Sequence, residues 1–232
     1  MTMSSFRGMP KEAFTFLREL KKNNDREWFA TNKQRYEKQV LEPALSLIHD
    51  LQKPMDKIAP LISVEPKRVG GSLMRVYRDT RFSSDKTPYK TNIGIHFRHR
   101  AGKDVHAPAI YIHLSPEESF FGAGTWRPAA DALKLIRNYL ADNPAVWKKV
   151  RQNKVLNQQF KFHDDRLKSA PRGFDKTHPL IDDLRLKSFI VTKDLTTAEI
   201  QSPELVPLIV SLTRQARPLM IALCQALGQP YV

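Results

Sequence analysis

From Pro10 onward the apolar residues Phe14, Leu17 and Leu20 recur at helical spacing until Asn23-Asn24 interrupts them. Proline suits such a start, because its missing N–H would have no helical partner there in any case. Asp25 can cap a second helix, Glu27 suits its positive end, and Trp28, Phe29, Tyr36 and Val40 supply an apolar stripe. Pro43 opens a third helix carrying Ala44, Leu47, Ile48 and Leu51, and the proline and lysine punctuation over residues 54–60 predicts its end. The period then changes. Apolar and polar residues roughly alternate over residues 72–78 and 91–98, with Ile93, Ile95 and Phe97 on one face and Asn92, Gly94, His96 and Arg98 on the other. Ile110, Ile112 and Leu114 repeat the alternation opposite Tyr111 and His113. Residues 119–126, which contain Gly122 and Gly124, read as a further strand or a tight turn.

No helical pattern separates these strands, so an antiparallel meander is expected rather than βαβ units. Helical spacing returns at Pro128 with Leu133, Ile136 and Leu140, and Pro144 opens a shorter helix with Val146, Trp147 and Val150. Phe160 and Phe162 alternate as in a strand, residues 170–179 read as a loop, and Phe189-Ile190-Val191 as a last strand. Ser202-Pro203 starts a helical region with Leu205, Leu208, Ile209 and Leu212, in which Pro218 predicts a kink or break. The expected fold class is α+β: N-terminal helices, a central mostly antiparallel sheet and C-terminal helices, as one domain over residues 1–232.

Composition adds a charge. The 232 residues carry a formal net charge of +14, which favours polyanionic partners such as nucleic acid or an anionic surface. Cys224 is the only cysteine, which excludes an internal disulfide and a thiolate zinc site and fits a reducing compartment. Its apolar, helix-like surroundings mark it as a packing residue. The first ten residues lack the apolar stretch of a signal peptide, and no apolar run reaches the roughly 20 residues that span a bilayer. The expectation is a cytoplasmic protein without membrane insertion.

Candidate chemistry concentrates in residues 75–91, Arg-Val-Tyr-Arg-Asp-Thr-Arg-Phe-Ser-Ser-Asp-Lys-Thr-Pro-Tyr-Lys-Thr. Arg75, Arg78, Arg81, Lys86 and Lys90 outnumber Asp79 and Asp85, and arginine forks match phosphate or carboxylate oxygens two bonds at a time. With Tyr89 and hydroxyls at Ser83, Ser84 and Thr87, the segment is equipped to hold an anion. The alternative is an internal network in which Asp79 and Asp85 fix an irregular crossover.

Together with Asn24-Asp25-Arg26-Glu27-Trp28-Phe29, the sequences Tyr77-Arg78-Asp79-Thr80-Arg81-Phe82 and Asp85-Lys86-Thr87-Pro88-Tyr89-Lys90-Thr91 make the chain resemble the bacterial and fungal family called domain of unknown function 2461. Gly122-Ala-Gly-Thr-Trp126-Arg-Pro128, Pro171-Arg172-Gly173-Phe174-Asp175 and His178-Pro179 continue the resemblance in order along nearly the whole chain. It implies a single domain and brings no activity with it.

A second polar cluster, Arg172 to His178, would add an anion ligand in Arg172 and an acid/base in His178 if the fold joined it to the first; otherwise Gly173 serves a turn and His178 bonds backbone. A third candidate is the polar sheet face. If registers align, Arg75, Tyr77, His96, Arg98, Tyr111 and His113 form a surface that stacks bases and binds phosphates; otherwise they form a solvated face. His96, His99, His106 and His113 lack a compact zinc spacing, Pro66 argues against a nuclease site at Asp56 and Glu65-Pro66-Lys67, and the glycine pairs are too short for a phosphate loop. Trp28, Phe29, Trp126 and Trp147 could line a pocket, but their helical and strand-end positions favour a place in the core. Three functional readings follow: a protein binding a phosphate-bearing or other anionic ligand, such as nucleic acid, through residues 75–91; an enzyme on an anionic substrate with Asp79 or His178 as acid/base; and a structural arginine network in a protein-interaction module. The residues name no metal, cofactor or oligomeric state.

Overall fold

The computed structural model describes residues 5–101 and 106–231; the reading of Met1 to Ser4 falls outside them. Helix α1 (Lys11–Lys22) buries Ala13, Phe14, Phe16, Leu17 and Leu20, with Pro10 as its extended N-cap. It stops where the Asn23 backbone and side chain both donate to the Glu19 carbonyl. Helix α2 (Arg26–Thr31) is capped as expected, the Asp25 carboxylate accepting from the Trp28 N–H at 2.8 Å. Helix α3 (Lys33–Tyr36) then runs through a π-helical turn (Glu37–Leu41) into α4 (Glu42–Ile58). Pro43 thus lies just inside α4. Lacking an N–H, it cannot bond the Gln39 carbonyl, and the wider turn accommodates that loss without breaking the helix.

Two prolines placed where a helix end or break was expected do not end their helices. Pro54 lies inside α4 and Pro218 inside α10 (Leu205–Ala226). A proline inside a helix costs about 3 kcal/mol, but Leu51 and Met55 around the first and Leu219 and Met220 around the second have no exposed surface. Each such side chain contributes about 1.5–3 kcal/mol on burial, so packing outweighs the lost bond.

Strands β1 (Ile93–Phe97), β2 (Ala109–Leu114) and β3 (Ser119–Thr125) form the expected meander. After α5 (Ala130–Asp142), α6 (Pro144–Arg151) and α7 (Lys154–Gln159), the chain makes β4 (Lys161–Phe162), the short α8 (Ile181–Leu184) and β5 (Phe189–Asp194), then α9 (Thr197–Ile200) and α10. Strand β5 inserts between β3 and β4, giving the order β1-β2-β3-β5-β4 with every pair antiparallel. Ile95 pairs with Ile112 and Ile112 with Phe121; Ile110 pairs with Ala123 and Ala123 with Val191. These residues are buried in one hydrophobic core with α1, α4 and α10. No helix among the described residues is long and apolar enough to cross a membrane.

Residues 72–78 do not form the expected full strand. Leu73 bridges Ile95 on the free edge of β1, and the chain then leaves the sheet and pairs with itself. The Arg78 N–H donates to the Pro88 carbonyl and the Lys90 N–H to the Val76 carbonyl. The result is an arm projecting from the sheet edge. It is docked from outside by the end of α1. The Asn24 side chain donates to the Tyr89 carbonyl and accepts from the Tyr89 N–H, both at 3.0 Å, as a neighbouring strand would. The Tyr89 ring stacks on Phe29 at 4.0 Å between centroids, and the two polar motifs at residues 24–29 and 77–91 are thereby one structural unit.

Removing the amide strands two backbone groups of a buried residue, each costing about 1–2 kcal/mol. Asn24→Ala should lower stability by about 2–3 kcal/mol, seen as a fall in Tm of roughly 4–10 °C. An unchanged Tm would mean the arm is not held this way.

Candidate functional site

Within the arm, most charges answer one another. Arg78 donates to Asp85 and to the Thr87 hydroxyl, and the Arg78 bond, with the Thr87 N–H and hydroxyl donating to the same carboxylate, holds Asp85 down at about 2. Arg81 binds Asp79 through both Nε and Nη2, at 3.0 and 2.7 Å, and this keeps Asp79 below the usual carboxylate range. Lys86 donates to the Thr80 carbonyl and Lys90 to the Arg75 carbonyl. Partial burial and the neighbouring Arg75 lower Lys90. Tyr89 is spent on the stack with Phe29. Arg75 alone among the five cations of the arm enters no ion pair or hydrogen bond through its side chain among the described residues.

The second cluster lies elsewhere. Residues 163–187 hang from the β4–β5 side of the sheet, where the His163 N–H donates to the Ile190 carbonyl and Arg166 bridges Leu186. The arm is attached at β1, the opposite edge. Arg172 is exposed on a turn. His178 Nδ1 accepts from the Leu180 N–H at 3.1 Å, the backbone role considered for it. No described contact joins Arg172 or His178 to Arg78.

The registers of the sheet bring part of the third set together, His96, Tyr111 and His113, whereas Arg75 and Tyr77 belong to the arm, where Tyr77 packs on Phe29 and Tyr89. His96 pairs with Tyr111, Tyr111 with Gly122, Gly94 with His113, and His113 with Phe120. Because strand side chains alternate, all of these lie on the face opposite the core. His113 stacks on Phe120 at 5.0 Å with rings within 3° of parallel. Tyr111 stands 6.0 Å from Phe120 and 6.3 Å from His96. Tyr111 and Phe120 are partly buried and stand outside the hydrophobic core. Gly94 makes the cluster possible, since a Cβ there would lie 2.9 Å from the Tyr111 hydroxyl and 3.0 Å from Met74 Sδ. The phenol therefore lies across β1 toward the arm.

Polar atoms edge this platform. Asn92 Nδ2 and the Tyr111 hydroxyl each lie 3.4 Å from His113 Nδ1, and the exposed Arg98 donates to His96 Nδ1 at 3.3 Å. Burial pushes His96 down to about 4, with the Arg98 charge adding to the effect, and burial likewise lowers His113 against the opposing pull of Glu118 and Glu117. At neutral pH both rings are uncharged, so they offer stacking surface and hydrogen bonds while the positive charge comes from arginine. Phe120 is the member of the platform that sequence reading passed over; the alternation of residues 119–125 was its only signal, and glycine blurred it.

Elsewhere, a groove of about 460 Å³ between α1, the β2–β3 turn and α9 has Lys11 and Arg18 beside Glu117 and Glu118, a mixed lining that selects no anion. Among the described residues no group of three or more His, Cys, Asp or Glu is placed to hold a metal ion. Cys224 is buried in α10, its thiol pushed up to about 12, consistent with packing. Trp147 is core as expected, whereas Trp126 is exposed.

Comparison with known proteins defines a class without a chemistry. Residues 12–221 match the family described as conserved hypothetical protein (DUF2461), and the chain belongs to that family. No curated protein and no solved structure matches it.

The depressed His96 gives a signed pH effect. The unfolded chain binds a proton at His96 from about pH 6.5 downward and the folded chain only near 4. Stability from this group is complete above pH 6.5 and falls as pH drops toward 4, by up to about 3 kcal/mol. Denaturant unfolding between pH 7.5 and 4.5 should show that loss in the wild type and a flatter profile in His96→Gln; identical slopes would contradict the burial of a neutral imidazole.

Proposed function

We propose that this protein binds a phosphate-bearing ligand, single-stranded nucleic acid, on the open face of its sheet. The observation that carries the reading is the in-register alignment of His96, Tyr111, His113 and Phe120 on the face turned away from the core. Aromatic rings on a sheet stack bases of any sequence, each stack being worth about 1–3 kcal/mol, while basic groups track the backbone. Arg98 at the platform edge and Arg75 at the root of the arm, which makes no ion pair among the described residues, are the cations best disposed for phosphates, in a chain of net charge +14. A duplex keeps its bases stacked inside and has nothing to give such rings.

The arm supports this site indirectly. Arg78 and Arg81 are engaged by Asp85 and Asp79, which favours a role in shaping the arm over direct ligand contact. Its exit carries Asn92 to His113, and its entry carries Met74 against Gly94. Asp79 and His178 have their partners in ion pair and turn, which favours binding over acid/base catalysis. The lone buried Cys224 fits a cytoplasmic setting.

Fluorescence anisotropy with a labelled 12-nucleotide single strand, DNA and RNA, and with the matching duplex should find single strands preferred and affinity falling steeply between 50 and 200 mM salt. Tyr111→Ala and Phe120→Ala should each weaken binding by roughly 5- to 150-fold, one stack's worth, with Tm retained. Equal binding of duplex, or indifference to both substitutions, would overturn the proposal.

A further inference from the structure

Strand β3 continues past the platform to a second aromatic site. Trp126 directly follows the strand, and its ring meets His163 edge-on at 4.9 Å. The register of β4 on β5, Lys161 with Thr192 and Phe162 with Val191, places His163 opposite Ile190, on the open side of the sheet. The Arg127 guanidinium lies 5.3 Å from the Trp126 ring. Even with these neighbours Trp126 is 55 % exposed, unusual for the largest apolar side chain unless something else covers it.

The backbone is bent out of its ordinary range to make this arrangement. Arg127 has φ 41°, the one non-glycine residue with positive φ among the described residues, a conformation that costs a side-chain-bearing residue about 1–2 kcal/mol. The buried Ser188 hydroxyl accepts from the Arg127 N–H at 3.0 Å and fixes the turn. Asp165 binds Lys187 at 2.7 Å and lies 3.9 Å from Arg127, so this end of the sheet keeps an excess of positive charge. Nearby, His163 Nε2 is buried without a hydrogen-bond partner.

Between the two aromatic sites β3 places glycine at both of its positions on this face, Gly122 and Gly124, each buried among its neighbours. Gly124 is demanded by its backbone, with φ 125° and an added Cβ only 2.1 Å from the Phe189 carbonyl oxygen. Gly122 is demanded by nothing comparable. Its φ is ordinary for any residue, and a Cβ there would find its nearest neighbours at 3.7 to 3.9 Å, normal contact distances. What a larger residue at 122 would do is raise a ridge on the open face between Phe120 and Trp126.

We infer that Trp126 with His163 is a second stacking platform for the same nucleic-acid strand, and that the ligand is a single strand long enough to lie along β3 and occupy both. This rests on the reading of the open face as a nucleic-acid surface. From Phe120 to Trp126 the strand rises about 3.3 Å per residue, roughly 20 Å in all, which a single strand covers with about four to six nucleotides. Arg127 then meets a backbone phosphate at the far end, as Arg98 does at the near one.

The test is a length series of thymidylate oligomers of 2 to 10 nucleotides, followed by anisotropy and by tryptophan fluorescence, in which the Trp126 signal is the part lost in Trp126→Ala, since Trp28 and Trp147 are present in both proteins. In the wild type affinity should rise by about tenfold or more between three and six nucleotides, with quenching only for the longer oligomers. Trp126→Ala should abolish the rise and leave the affinity of the short oligomers unchanged. Gly122→Leu should do the same with Tm maintained, which separates a blocked path from a damaged fold. Binding that depends on Tyr111 and Phe120 yet ignores length, Trp126→Ala and Gly122→Leu would overturn this inference alone. Absence of binding at every length, or binding indifferent to Tyr111→Ala, would overturn both it and the reading beneath it.

Discussion

A strand turns successive side chains to opposite faces, and everything distinctive in this protein depends on β1, β2 and β3 keeping that alternation in register with one another. On one side the constraint assembles Ile95, Ile112 and Phe121 under the helices. A slip of one residue would put isoleucines in water and histidines in the core. The burial of the apolar face therefore fixes the opposite face as well. His96, Tyr111, His113 and Phe120 are neighbours because their sequence neighbours are core residues, and the hydrophobic effect sets the geometry of a polar surface it does not touch.

The arm shows a different economy. Exposed ion pairs such as Arg81–Asp79 contribute little to stability, yet a loop of this length needs something to choose its conformation. Two carboxylates, the Thr87 hydroxyl and the Asn24 amide supply that choice from residues that side-chain packing alone would leave free. The same network explains why a segment rich in arginine presents so little unengaged guanidinium. It also links the end of α1 to the edge of β1, so the polar platform is bounded on that side by a fixed wall.

Much of this was legible along the chain. Helical spacing, proline starts and the Asp25 cap marked the helices, and alternation marked β1 and β2 to within a residue or two. What was not legible has physical causes. Pro54 and Pro218 read as breaks because local propensity knows nothing of the burial that overrides it. Residues 72–78 alternate like a strand, yet only residues 72–74 pair with β1; from Val76 on the partner is the chain's own return at residues 88–90, a pairing set by the long-range Asn24 clamp and Phe29 stack. The arginines of residues 75–91 drew attention as an anion site, and only three-dimensional pairing shows how many of them are answered internally. Conversely, the sheet face could be imagined from Tyr111 and His113 but not assembled, since register is a property of strand pairs and Phe120 sits in a stretch whose glycines disguise its period.

The central claim, that the open face of the sheet is where the ligand lies, is tested most directly by photocrosslinking an iodouracil-substituted single-stranded oligonucleotide to the wild-type protein and mapping the adducts by mass spectrometry. The account predicts adducts on Tyr111, His113, Phe120 and Trp126, all on one face. Adducts confined to the tip of the arm around Phe82, or to the Arg172 turn, would contradict it.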